Sequence, residues 1–399
     1  MKKTVKDIDI KNKKVIMRVD FNVPLDKETN SKITDTTRVD AAMPTIEYIL
    51  SQGASLILMS HLGRPKGEAN PKYSLKPVYD YLKTKLPNNK VIFANDCIGE
   101  EVKKTASSLN AGDVLLLENL RYHAEEEKND ANFSKQLADL ADVYVNDAFG
   151  TAHRAHASTA GIVAAKPSMP AVAGFLMEKE IKYLGDAVAE PKRPFVAIIG
   201  GAKVSSKISV LKNLLNKVDT LIVVGGMAYT FFKAKGYEIG TSLCEDDYIQ
   251  TAKEIMDKAK ELNKTLYLPI DNVVADKFDN DANRKIVDCN AIPSGWMGMD
   301  VGDKTLKEIE NILKSAKTIV WNGPLGVFEM SNFAKGTFET AKFIANSGAV
   351  SIIGGGDSVS AVNKSGVADK MTHISTGGGA SLEFLEGIEL PGIKVLQDK

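Results

Sequence analysis

The sequence predicts an α/β protein made of two doubly wound, Rossmann-like parallel-sheet domains joined by an interdomain helix and hinge. Three observations carry this. The chain has 399 residues, more than the roughly 100–200 typical of one domain. Short runs rich in Val, Ile and Leu recur along its whole length, each ending in a polar or glycine-rich turn. Amphipathic stretches such as "NFSKQLADLAD" and "DDYIQTAKEIMDKAKEL" separate many of them. Continuously apolar strands alternating with helices indicate a parallel sheet covered on both faces.

In the first half the apolar runs read "VIMRVDFN", "SLILMSHLGR", "VIFANDCIG", "VLLLENLR" and "VYVNDAFG". Between the halves lies "GFLMEKEIKYLGDAVAEPKRP", where Met177, Ile181, Leu184 and Val188 recur at helical spacing. Pro191 and Pro194 end that pattern, which reads as the interdomain helix. The second series reads "FVAIIGGAK", "TLIVVGGMA", "LYLPIDNV", "TIVWNGPLG", "AVSIIGGGDS" and "HISTGGGAS". The halves share a rhythm but no sequence-level repeat. The first domain is placed at residues 1–173 and the second at 174–389.

Composition narrows the function classes. The 51 Lys and Arg balance 51 Asp and Glu, and both signs are interspersed. Bulk electrostatics therefore give no support to nucleic-acid or membrane-surface binding. The three cysteines, Cys97, Cys244 and Cys289, lie far apart with no CxxC, which fits a reducing compartment. The start, "MKKTVKDIDIKNKK", runs into further charges instead of an apolar core, unlike a signal peptide. No run approaches the roughly 20 apolar residues of a membrane span. The expectation is a soluble cytoplasmic protein, with neither nucleic acid nor membrane as partner.

Arginine is scarce: seven of the 51 basic residues, the rest being lysine. Five of them, Arg18, Arg38, Arg64, Arg121 and Arg154, fall in the first half, at or near strand ends or in the following loops. Arginine kept there in a lysine-rich chain points to planar, bidentate recognition of phosphate or carboxylate. Asp20 and Asn22 in "RVDFNVP" and His61 in "SHLGRP" add groups that bind hydroxyls and orient a small polyanion. "NDAFGTAHRAHAST" poses a choice. His153 and His156 could hold a metal, or Arg154 could be an anion ligand framed by them. No Cys or acidic residue stands near that pair in a recognisable zinc spacing, and the anion reading is favoured.

In the second half, five glycine-rich turns each follow an apolar run. Glycine there permits close backbone approach and leaves helix-start N–H groups free to point at phosphate. No GxxxxGK[ST], HRD or DFG pattern occurs. Lys203 and Lys207, four apart, are expected to share a helix face pointing at phosphate. Asp357, after Gly354–Gly356, is a candidate oxygen ligand for Mg²⁺, and Glu329 could accept hydrogen bonds from ribose hydroxyls. Together these residues suggest a nucleotide site.

With both sets in view the chain resembles the phosphoglycerate kinases over essentially its whole length. "RVDFNVP", "SHLGRP", "NDAFGTAHRAH", "GGAKVSSKI", "WNGPLGVFE", "GGGDS" and "STGGGASLEFLEG" occur in the family's order. The resemblance implies a monomer that converts 1,3-bisphosphoglycerate and MgADP to 3-phosphoglycerate and MgATP, reversibly, in glycolysis. It implies that Asp20, Asn22, Arg38, His61, Gly63, Arg64, Arg121 and Arg154 bind the glycerate phosphate. By the same resemblance Lys203, Lys207, Gly302, Asn322, Glu329, Gly355, Gly356, Asp357 and Ser358 hold the nucleotide, with Asp357 on magnesium. Arg38, Lys203, Gly378 and Gly379 would act on the transferring phosphoryl group. The carboxyl tail, residues 390–399, would fold back onto the first domain. Two departures stand out: Ser206 where many members carry Asp, and Asp303 where many carry Pro. Two rivals fare worse. A hinged anion-binding protein leaves Glu329, Asp357 and the glycine-rich turns unexplained. A nicotinamide-dependent dehydrogenase lacks GxGxxG after the first strand of either half.

Overall fold

The apolar runs become strands because they are buried on both faces. The computed structural model describes the backbone of residues 1–399 and every side chain except those at 186 and 187. It divides into two units, Met1–Ile181 with Glu389–Lys399, and Lys182–Ile388.

In the first unit β1 (Lys14–Arg18), β2 (Ser55–Met59), β3 (Val91–Phe93), β4 (Val114–Leu116), β5 (Val143–Asn146) and β6 (Ala171–Ala173) form one sheet. The order is β3-β4-β2-β1-β5-β6, and every pairing is parallel. All five residues of β2 are buried, as a sheet covered on both faces demands. Val39, Ile46 and Ile49 of the helix Thr37–Ser51 pack with Met17, Leu56, Leu58 and Val145 in one core. The tail joins this unit: Gln397 N–H donates to Ala171 O at 2.9 Å and Asn146 Nδ2 to Gly392 O at 3.1 Å.

The second unit carries β7 (Phe195–Ile199), β8 (Thr220–Val223), β9 (Thr265–Tyr267), β10 (Asp271–Ala275), β11 (Arg284–Asp288), β12 (Met297–Val301), β13 (Thr318–Asn322), β14 (Val350–Gly354) and β15 (His373–Ile374). Its main sheet runs β15-β14-β13-β7-β8-β9 and is also all parallel. The two doubly wound sheets are those the sequence predicts. A small antiparallel sheet, β11-β10-β12, was not foreseen. The run "LYLPIDNV" is two strands: Pro269 lies in the break between β9 and β10.

Register brings the loops together. In the first unit Arg18 is level with Met59 and Asn146. β1 leads to β2 on one side and β5 to β6 on the other, so the progression of strand order reverses between β1 and β5. In the second unit Asn322 is level with Ile199 and Gly354, and the reversal falls between β7 and β13. Ligands of doubly wound sheets bind beyond strand carboxyl ends at such reversals.

The stretch expected to join the domains is helical, as Phe175–Glu180, a π-helical segment Ile181–Asp186 and Ala187–Ala189. Met177, Leu184 and Val188 are buried. The division between units falls inside this helical stretch, at Ile181, later than residue 173. Among the described residues no helix is long and apolar enough to cross a membrane.

Candidate active site

In the first unit the loops after β1, β2, β4 and β5 hold the arginines. Arg38, at the start of the helix Thr37–Ser51, donates through Nη1 to both Asp20 oxygens at 3.0 Å and to Asn22 O at 3.1 Å. Both oxygens of Asp20 thus fix one nitrogen, and Nε and Nη2 remain for a ligand. Asn22 Oδ1 accepts from Gly63 N–H at 2.9 Å, and Gly63 O accepts from Arg121 Nη1 at 3.1 Å. Gly63 has φ +63°, and a Cβ there would strike the Tyr73 ring. Only glycine therefore threads this bridge between Asn22 and Arg121.

Arg18 is not like the other arginines. It is fully buried, and its Nε donates to Ser158 Oγ at 2.8 Å. Ser158 Oγ in turn donates to the buried Glu126 carboxylate, which supplies the counter-charge. Its Nη2 lies 3.2 Å from His61 Nδ1. A guanidinium only donates, so Nδ1 accepts and His61 carries its proton on Nε2. Burial, then Arg18, Arg121 and Arg38, hold the His61 pKa well below the usual range. His61 is thus a neutral donor that adds no charge to a site already rich in it.

Arg154 is exposed, and its Nε donates to His153 Nε2 at 3.1 Å. His156 is buried, and burial followed by the charges of Arg121, Arg18 and Arg154 lowers its pKa to about 4. His153 thus sits against Arg154, while His156 Nδ1 lies 4.0 Å from Glu126 Oε1. Arg64 is exposed and bound by no hydrogen bond or ion pair among the described residues.

In the second unit a cavity of about 340 Å³ opens at the reversal between β7 and β13. Gly200–Ala202, Asn322–Pro324, Gly355–Asp357, Gly378 and Gly379 line it, with Ser206, Lys207 and Leu382. The glycines there have two different causes. A Cβ on Gly200 would strike Pro324 O and one on Gly323 would strike Gly200 O, so those two allow adjacent loops to pack. A Cβ on Gly356, Gly378 or Gly379 would meet nothing within 4 Å. These three keep the space open at the first residues of the helices Gly356–Lys364 and Gly379–Leu385. Unpaired N–H groups at such starts suit phosphate.

Lys207 Nζ donates to Asn322 Oδ1 at 2.6 Å, and burial lowers its pKa against the opposing charges of Asp357 and Glu386. Asn322 Nδ2 is buried without a hydrogen-bond partner. An orphaned donor beside a lysine and two helix starts is suited to a polyphosphate. Asp357 is exposed at the cavity wall, and its carboxylate makes no hydrogen bond or ion pair among the described residues. That fits Mg²⁺, which commonly takes one or two carboxylates and completes its shell with phosphate and water.

Not every expected residue reaches this cavity. Lys203 is exposed and does not line it, and it shares no helix face with Lys207. The helix begins only at Ile208. The Glu245 carboxylate holds Ser205 Oγ at 2.6 Å and Ser205 N at 3.0 Å, and Ser206 Oγ bonds Lys203 O. These bonds hold residues 203–207 in a turn, since serine side chains compete with helical bonding. Gly302 is buried, and a Cβ there would strike the Asp271 carboxyl, which caps the helix Asp303–Ser315 through Thr305. Glu329 is exposed and outside the cavity lining, and Ser358 Oγ accepts from Gly323 N–H at 2.6 Å. Asp303 forms a surface ion pair with Lys335 at 2.7 Å. Sequence reasoning missed Gly200, Gly201, Ala202, Ser206, Gly323, Pro324 and Leu382 as lining residues.

Arginines grouped on one doubly wound unit and a glycine-walled cavity at helix starts on the other are the parts a phosphotransferase needs. The comparisons with known proteins agree. The family model described as phosphoglycerate kinase matches residues 5–388. The chain is 59% identical over 400 residues to phosphoglycerate kinase of Clostridium botulinum (strain Hall), covering 100% of this chain and 99% of that one. It is 58% identical over 398 residues to cytosolic phosphoglycerate kinase 3 of Arabidopsis thaliana, covering 99% and 98%. The solved phosphoglycerate kinase of Coxiella burnetii superposes with a TM-score of 0.91 at 42% identity, covering 99% of this chain and 98% of that one. The chain belongs to the phosphoglycerate kinase family.

Proposed function

We propose that the chain interconverts 1,3-bisphosphoglycerate with ADP and 3-phosphoglycerate with ATP, each ligand held by a different unit. The observation that carries this reading is the pair of strand-order reversals, one ending in arginines around a neutral histidine, the other in open helix starts around Lys207. In the first unit Arg64, Arg121 and Arg154 hold the phosphate of the glycerate, Asp20 and Asn22 orient it, and His61 Nε2–H donates to a ligand oxygen. In the second, Lys207, Asn322 and the amides of Gly355, Gly356 and Ser358 hold the nucleotide phosphates. Gly302 and Glu329 are assigned to the nucleoside by family resemblance alone.

A phosphoryl group in flight carries its charge on three equatorial oxygens through a loose transition state, and no covalent enzyme intermediate is needed. The residues' task is positioning and electrostatic stabilisation. Arg38, already anchored by Asp20 and Asn22, offers Nε and Nη2 to those oxygens; Lys203 and the amides around Gly378 and Gly379 complete the set. Mg²⁺, held by Asp357 and the nucleotide, would neutralise phosphate charge. Because the ligands belong to different units, the units must close to align them and to exclude water as a competing acceptor. The helical stretch Phe175–Ala189 is the hinge in this reading. We further read the enzyme as cytoplasmic, supported by its widely spaced cysteines and its resemblance to a relative named as cytosolic, and as a monomer by family resemblance alone.

The test is a coupled assay with 3-phosphoglycerate and MgATP, acyl-phosphate formation being read through a dehydrogenase. Turnover by the wild type and its loss in Arg38→Ala support the reading. A folded wild-type protein that turns over neither direction returns the chain to an anion-binding role without chemistry.

A further inference from the structure

Away from the arginines, one cluster in the first unit has the chemistry of a metal centre. Asp96 and Cys97 lie in the loop after β3, and His123 follows the short turn Leu120–Tyr122 beyond β4. β3 and β4 are paired in register, so these loops leave the sheet side by side. A carboxylate oxygen, the thiol sulfur and an imidazole nitrogen, one from each residue, all lie within 4.8 Å of one another.

The three are held by bonds independent of any ligand. Asp96 Oδ1 lies 2.7 Å from His123 Nε2 and accepts from Cys97 N–H at 2.6 Å. Asp96 O accepts from Glu118 N–H at 3.4 Å, tying the loop back toward β4. The His123 ring leans on Phe133, 5.4 Å between centroids. Cys97 is 0% exposed, whereas the side chains of Asp96 and His123 are 50% and 26% exposed. The sulfur forms a closed floor and the other two ligands an open mouth.

We propose that Asp96, Cys97 and His123 bind a thiophilic divalent cation of the Zn²⁺ class, with water in a fourth position. Thiolate, imidazole and carboxylate together match the donor preferences of Zn²⁺, and of Co²⁺ as its spectroscopic stand-in. Mg²⁺ prefers an all-oxygen octahedral shell and is a poor match. On binding, the Cys97 thiol loses its proton to solvent, and His123 ligates through an unprotonated Nε2 as a neutral imidazole: an imidazolium releases its Nε2 proton to solvent, and a neutral ring carries its one proton on Nδ1. Three metal–ligand bonds form, with no change in oxidation state. This site shares no residue with the nucleotide cavity or with the arginine cluster.

The experiment uses the full chain carrying Cys244→Ser and Cys289→Ser, which leaves Cys97 as the single thiol. Co²⁺ is titrated without nucleotide, and the thiolate-to-Co²⁺ charge-transfer band and tetrahedral visible bands are read. The expected result is saturation at one Co²⁺ per chain, reversed by Zn²⁺ and not by Mg²⁺. Adding Cys97→Ser abolishes the charge-transfer band, and adding His123→Ala weakens binding by more than about a hundredfold, beyond the roughly 10–100-fold cost of losing an outer-shell partner. Should Cys97→Ser lose its circular-dichroism signal, His123→Ala decides alone. No charge-transfer band in the parent, or unchanged affinity in His123→Ala, overturns the proposal. The trio would then be a hydrogen-bonded staple between two loops.

Discussion

At the scale of single residues, the arginines separate into a support and a working set. Arg18 is linked to the Glu126 carboxylate through Ser158, and its Nη2 lies 3.2 Å from His61 Nδ1. Arg38 is anchored through one nitrogen only. Arg38→Ala is expected to lower kcat by roughly a hundredfold or more, about 3 kcal/mol, the scale of losing one preorganised donor. Near-normal kcat in a folded Arg38→Ala protein would remove it from the catalytic set. A second prediction concerns acid. The pKa of His156 falls from 6.5 to about 4 on folding. Below pH 6.5 the unfolded chain therefore binds a proton that the folded chain refuses until about pH 4. Stability must fall as pH drops through that window. Thermal melts of His156→Gln against wild type should show a flatter slope there; the buried Asp147 and Asp300, shared by both proteins, cancel in the difference. Identical slopes would mean His156 is not held neutral. The sequence revealed the arginines by their scarcity, but it could not tell Arg18 from Arg38. That distinction rests on burial and on a glutamate 108 residues away in the chain.

At the scale of elements, the glycine-rich turns divide in the same way. Gly200 and Gly323 exist for loop packing, and any side chain there should destabilise the second unit. Gly356 has open space and an ordinary φ at the first residue of its helix. Gly356→Ala is expected to leave the melting temperature unchanged or slightly raised, because alanine favours the helix. The same substitution should raise the KM for MgATP, since its methyl enters the phosphate space. A raised KM accompanied by a large fall in melting temperature would instead mark Gly356 as structural. Gly378 differs again, with φ +52°. Gly378→Ala should destabilise the protein by roughly 1–3 kcal/mol through backbone strain alone. Sequence pattern found the glycines because they follow apolar runs, but packing glycines and cavity glycines look alike there. The helix expected across Lys203 and Lys207 failed for a reason written in serines 205 and 206, whose bonds to Glu245 and Lys203 O favour a turn. β6 and β11 escaped notice because one is three residues between Pro170 and Gly174 and the other, "RKIVD", is mostly charged.

At the scale of the whole molecule, two doubly wound units were legible because their main strands are apolar runs that alternate with helical stretches. The small antiparallel sheet β11-β10-β12 was not, because its strands are partly exposed and β11 offers no apolar run. The assignment of one ligand to each unit then requires closure. Small-angle scattering is expected to show compaction only when both ligands are present, and no compaction would count against closure. The partition itself is tested most directly by calorimetric titration of 3-phosphoglycerate and MgATP, separately, into wild type, Arg154→Ala and Lys207→Ala. Loss of a charge-assisted contact is worth about 1.5–3 kcal/mol, roughly a tenfold to hundredfold change in Kd. The predicted result is a crossed pattern: Arg154→Ala weakens 3-phosphoglycerate by that much and leaves MgATP unchanged, and Lys207→Ala does the reverse. Either variant weakening both ligands alike, or neither, would contradict the assignment of one ligand to each unit.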